Sequence, residues 1–161
     1  MSAGRRWRGA TVALALVLGV GCAQDTDLRP EIRYGEHECD RCRMIVSEER
    51  TAAVALLEGG AYRFDDLACL GRWANERDLA QARVWVHDAV DLTWLPADQA
   101  LYAQAPRVVT PMGSGWLAFS DAEGLGVFDV APREALEWSG FRVETGEDDG
   151  AARAWRARRD S

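Results

Sequence analysis

Lysine is missing from this 161-residue chain, and all 19 basic residues are Arg. The glycine-flanked loop Gly113-Ser114-Gly115 therefore has no Lys beside it, and it also lacks the spacing of a phosphate-binding loop. Histidine is scarce: His37 and His87 stand alone, and each reads more simply as a structural or solvated residue than as an extra ligand. Carboxylates grouped to hold calcium or magnesium are not seen either, because those ions need clustered oxygens. A basic surface is lacking too. The net charge is −7, and removing residues 1–21, which hold three Arg and no acid, takes it to −10. Such a chain repels nucleic acid and anionic headgroups, so no nucleic-acid partner is expected and any membrane contact must be made by other means. The apolar run Ala10–Val20 is too short to span a bilayer comfortably.

What is present begins with that run. Arg5, Arg6 and Arg8 precede it, and small residues ending at Gly21 lead to Cys22. This is the layout of an export signal over residues 1–21. Leu18-Gly19-Val20-Gly21-Cys22 resembles a bacterial lipobox, with Gly19 where Leu is usual, so Cys22 is the expected lipid-attachment residue. Several acyl chains anchor stably where one is marginal. The expected location is therefore the periplasmic face of a bacterial membrane. Ala23, standing where a retention Asp would be, favours the outer one. Residues 22–36 are polar and aperiodic and read as a flexible tether.

A folded domain is expected over residues 37–145, with halves at about 37–90 and 91–145, and a loose tail over 146–161. With 48% hydrophobic residues and seven Trp, a packed core is feasible. Thr51 to Leu57, Gly59-Gly60 and Ala61 to Phe64 form a hairpin signal. Asp65-Asp66 can cap a helix carrying Leu67, Leu70, Trp73 and Ala74, and Val84 to Val86 is a short strand. Similar grammar returns later: a strand over Gly115 to Phe119, a second over Leu125 to Phe128, and a helix from about Pro132 to Trp138. Strands are also expected near Ala100–Ala103 and Val108–Thr110. An offset of 64 superposes Gly60 on Gly124, Phe64 on Phe128 and Asp65 on Asp129. The expected class is α+β, with two small ββαβ halves packed as a pseudo-repeat.

Sulfur is the remaining chemical signal. Cys39-Asp40-Arg41-Cys42-Arg43-Met44 joins a C-x-x-C to a Met, and Cys69 lies in the expected first helix. Beyond residue 21 the only methionines are Met44 and Met112, the latter in Thr110-Pro111-Met112-Gly113-Ser114-Gly115. In an extended segment Cys42 and Met44 would share a face. Thiolate plus thioether is a soft set that selects Cu(I), whereas Met is not a usual zinc ligand. Plainer alternatives stand beside this. Cys39 and Cys42 can form a disulfide in an oxidising compartment, Cys69 can be a buried apolar residue, and a Met is often core filler.

These motifs, in this order, resemble the NosL family of copper-chaperone lipoproteins: the signal ending in Cys22, Cys39-x-x-Cys42-x-Met44, Phe64-Asp65-Asp66 with Cys69, Trp85-Val86 with Asp88, and Thr110 to Gly115. The resemblance runs from about Cys39 to Trp138. It implies a periplasmic Cu(I) carrier, not an enzyme, that supplies an apo-cuproenzyme or its membrane assembly complex, with nitrous oxide reductase as the implied client. By position it implies Cys42, Met44 and Met112 as ligands, with Cys39 and Cys69 in a second tier. Arg43 stands where the pattern often has Gly. Competing readings are a thiol–disulfide oxidoreductase or an organomercurial-lyase-like enzyme using Cys39 and Cys42, and a lipoprotein with a structural zinc or disulfide clip.

Overall fold

The structure, a computed structural model, describes residues 29–146. The export signal, Cys22 and the tail beyond residue 146 lie outside the described residues. Among the described residues no helix is long and apolar enough to cross a membrane.

The first half follows its sequence signals. β1 (Ala53–Leu57) and β2 (Gly60–Phe64) pair antiparallel, with Leu57 opposite Gly60. Glu58 and Gly59 both take positive φ, 52° and 76°, as a two-residue turn matched to strand twist requires. The turn therefore falls one residue earlier than the Gly59-Gly60 pair implied. The Asp66 side chain then accepts a bond from the Ala68 N–H and starts α1 (Leu67–Asn75). The apolar stripe of α1 buries Leu67, Cys69, Leu70 and Trp73. β3 (Arg83–His87) returns on the far side of β1, so β2 and β3 run parallel with β1 between them and α1 as the crossover. A short β4 (Trp94–Pro96), not foreseen, completes the sheet in the order β2-β1-β3-β4.

The second half departs from expectation. β5 (Leu101–Gln104) and β6 (Trp116–Phe119) form a two-stranded antiparallel sheet. Val108–Thr110 is not a strand, because the Thr110 hydroxyl is committed to a loop network instead. The strand expected over Leu125–Phe128 is replaced by α2 (Ala122–Val127). Asp121 Oδ1 takes the N–H groups of both Glu123 and Gly124, which closes a helical turn before a strand can begin. The helix expected over Pro132–Trp138 is also corrected. A single 3-10 turn spans Pro132–Glu134, and α3 runs from Trp138 to Gly146. Leu136 is held in a bridge by Tyr102, N–H to carbonyl in both directions at 2.8 and 2.7 Å, so its backbone cannot also serve a helix. The offset of 64 thus joins unlike structures: Phe64 ends a strand, Phe128 ends a helix. Among the described residues the fold is α+β with antiparallel sheets and three α-helices, and of its two halves the first alone is a ββαβ unit.

Two packing features bear on the site. α3 lies against α1, where Gly71 leaves room for Thr145 and Phe141. The two sheets are joined at the end of β3: the Ala89 N–H reaches the Ala118 carbonyl at 2.8 Å, and Asp88 Oδ2 accepts from the Ser120 N–H at 2.7 Å. Residues 31–37 also lie against the domain. Ile32 packs on the core, the Glu31 carbonyl accepts from Arg63 Nε, and the Tyr34 hydroxyl meets His87 Nε2 at 3.0 Å.

A candidate metal centre

Three segments far apart in sequence converge at the β2–α1 junction. The first is the turn from Cys39 to Cys42. It is closed by the Cys39 N–H on the Met44 carbonyl at 2.7 Å and the Arg43 N–H on the Cys39 carbonyl at 3.0 Å. Asp40 fastens this turn to β2: its N–H donates to the Arg63 carbonyl, and its carboxylate accepts from the Arg63 N–H at 2.7 Å. The second is Asp65, directly after β2, and the third is Cys69, in the first turn of α1. The three cysteine sulfurs and a carboxylate oxygen of Asp65 all lie within 4.8 Å of one another. Cys39, Asp65 and Cys69 are buried, and Cys42 is partly exposed. All three cysteines are free thiols, so no disulfide joins Cys39 to Cys42.

The electrostatics follow from that crowding. The Cys69 thiol hydrogen-bonds the Cys39 sulfur, and the Cys42 N–H also points at it. Together they hold Cys39 down at about 4 against the opposing effect of burial. That bond and burial push Cys69 strongly upward. Burial first, then the neighbouring Cys39, pushes Cys42 up to about 12. Asp65 is raised to about 6, by burial first and then by Cys39. The crowding therefore favours the ionised form at Cys39 and the protonated form at Cys42 and Cys69.

One of the Asp65 oxygens accepts from the Cys42 thiol at 3.3 Å, while its other oxygen, Oδ2, is buried with no partner. An unpartnered buried carboxylate oxygen is costly unless a cation or donor meets it. The donor set therefore fits a metal ion, whose binding would displace protons from Cys42 and Cys69. Three thiolates suit soft or borderline ions such as Cu(I) or zinc, and the single oxygen excludes calcium and magnesium.

The structure thus brings Cys39, Cys42 and Cys69 together and adds Asp65, whose sequence pattern points to a helix cap beside Asp66. Asp65 carries no separate signal in the sequence, because it precedes the helix and the Asp-Asp pair is accounted for by the Asp66 cap. The extended geometry expected for Cys42 and Met44 is not found. The chain turns there, and Arg43 takes a left-handed φ of 67°, a conformation glycine adopts more cheaply. Met44 follows that turn with 44% of its surface exposed, and Met112 is 40% exposed in the loop after Thr110. The backbone N–H of Met112 donates to Asp66 Oδ2 at 2.9 Å, one residue from the carboxylate that faces Cys42. His87 is buried away from this group. Its Nδ1 donates to the Leu92 carbonyl at 2.7 Å, its Nε2 accepts from Tyr34, and its ring stacks on Trp94. The His37 Nδ1 accepts from the Arg33 N–H.

Compared with known proteins, the chain matches no family model, and no curated protein matches it.

Proposed function

We propose that this protein is an exported, lipid-anchored carrier that takes Cu(I) as cargo and passes it by ligand exchange to an apo-cuproenzyme or its assembly complex. The observation that carries this reading is the thiol group itself: three free sulfurs gathered at one point, two buried and Cys42 at the surface. A buried pair can hold the ion while a partly exposed third sulfur lets an acceptor's ligand enter before the donor's leaves. Met44 and Met112, both exposed, are the proposed thioether donors at the rim. The motif resemblance to NosL proteins supports the anchor at Cys22, the periplasmic setting and nitrous oxide reductase as client.

Thiol–disulfide exchange is less well supported. The Cys39–Cys42 pair sits in a turn and not at a helix N-terminus, and the reachable thiol, Cys42, is pushed upward rather than activated. A zinc clip is the second reading, because an Asp oxygen beside three thiols is an acceptable zinc set.

Titration of the reduced full-length protein with Cu(I) and with zinc, each against a chromophoric chelator, separates the two. A carrier binds Cu(I) tightly, stays folded when stripped, loses affinity in Cys42→Ser, and releases Cu(I) to a thiol acceptor. A clip prefers zinc and unfolds on chelation, and that result would overturn the carrier reading.

A further inference from the structure

Asp66 does more than a helix cap requires. Its carboxylate is fully buried and accepts four hydrogen bonds, of which only that from the Ala68 N–H, at 2.8 Å, belongs to α1. The other three come from one distant loop: the Thr110 hydroxyl at 2.6 Å, the Met112 N–H at 2.9 Å and the Ser114 hydroxyl at 2.7 Å. Those residues lie 44, 46 and 48 positions along the chain. The loop also closes on itself. Thr110 Oγ1 accepts from the Ser114 and Gly115 N–H groups, and its carbonyl accepts from the Gly113 N–H, with Gly113 and Gly115 both at positive φ.

Apolar packing does little to place this loop. Val109 is 82% exposed and Met112 40% exposed, while Thr110 is buried with its hydroxyl bonded to Asp66. β5 holds one end of the loop, through Gln104 Nε2 on the Ser114 carbonyl at 3.0 Å and the Ala105 N–H on the Gly115 carbonyl at 2.8 Å, and Asp66 holds the rest. The residue before Asp66 is Asp65, whose carboxylate faces the three thiols. Two consecutive carboxylates thus face two different partners: one the sulfur group, the other the methionine loop. With one peptide unit between them, the distance from thiols to loop has little freedom.

We propose that Asp66 is a positioning residue for the metal cargo: by clamping the loop from Thr110 to Ser114 it fixes Met112 as a thioether donor beside the cysteine group. This rests on the Cu(I)-carrier reading and deepens it. A clamped loop lowers the entropy cost of recruiting an exposed Met, because the backbone is already ordered before the ion arrives. Outer-shell groups of this kind typically change metal affinity by roughly 10–100-fold.

A double-mutant cycle on the full chain tests it. Cu(I) affinity is measured by competition with a chromophoric chelator for wild type, Met112→Leu, Asp66→Asn and the double variant, together with Ser114→Ala. That last substitution removes one clamp bond and leaves the α1 cap in place. The proposal expects Asp66→Asn and Met112→Leu to weaken Cu(I) binding by the same factor, and the double variant to be no weaker than either. It expects Ser114→Ala to lie between them and wild type. Sulfur counts from X-ray absorption should fall by one in both single variants. Multiplying effects in the double variant would overturn the proposal. So would wild-type affinity in Ser114→Ala, which settles the matter even if Asp66→Asn fails to fold. Wild-type protein that does not bind Cu(I) at all would instead defeat the carrier reading.

Discussion

Replacing Asp65 by Asn separates a strained ion from a structural hydrogen-bond acceptor. In the metal-free protein this carboxyl is fully buried, one of its oxygens has no partner, and its pKa rises from 3.8 to about 6. Such a rise corresponds to about 3 kcal/mol of destabilisation when the group is ionised. The sign follows from protonation in the two states. Above pH 6 the carboxyl is charged both folded and unfolded, so the folded state bears the full penalty. Below pH 3.8 it is neutral in both, and the penalty is gone. Asn carries no charge at any pH, though its amide is left buried in the place of Oδ2 and costs about 1–3 kcal/mol at every pH. The stability of Asp65→Asn relative to wild type should therefore improve by about 3 kcal/mol between pH 3 and pH 8, whatever its offset. Urea denaturation under a phosphine reductant and a chelator, repeated across that range, measures it. Parallel stability profiles for the two proteins would refute the reasoning, because they would mean that Asp65 is not a buried charge awaiting a cation.

Two further outcomes test the frame around the site. His87 is buried and neutral, with its pKa lowered from 6.5 by burial, so its contribution is present above pH 6.5 and lost as acid protonates the unfolded chain first. His87→Gln should flatten that part of the acid limb in denaturation profiles. Gly71 faces α3, and a Cβ there would run into the Thr145 side chain, with the Phe141 ring 3.1 Å away. Gly71→Ala should lower stability by about 1–3 kcal/mol in urea unfolding and leave Cu(I) affinity per folded molecule unchanged.

The first half of the chain was legible because each of its signals was local. An apolar run, a glycine turn and an Asp cap specify the hairpin and α1, and these residues obey them. In the second half the decisive contacts are distant. Leu136 is drawn out of a helix by Tyr102, and Thr110 out of a strand by Asp66, and neither partner is visible in a window of neighbouring residues. Leu125 to Phe128 misled for a different reason: an apolar run of four fits a strand or one face of a helix, and the Asp121 cap decides between them. At the site, the cysteines announced themselves by scarcity and pairing. Cys69 joins them because Asp40 fastens the Cys39–Cys42 turn to β2, beside the first turn of α1. Asp65 was hidden by a cap motif that belongs to its neighbour.

Copper X-ray absorption of the reduced, full-length protein loaded with one equivalent of Cu(I) tests the central claim most directly. The account predicts an ion held by sulfur, by the three cysteine thiolates together with Met112, with one sulfur lost in each of Cys39→Ser, Cys42→Ser and Cys69→Ser. A spectrum dominated by nitrogen or oxygen, or one unchanged by all three substitutions, would contradict it.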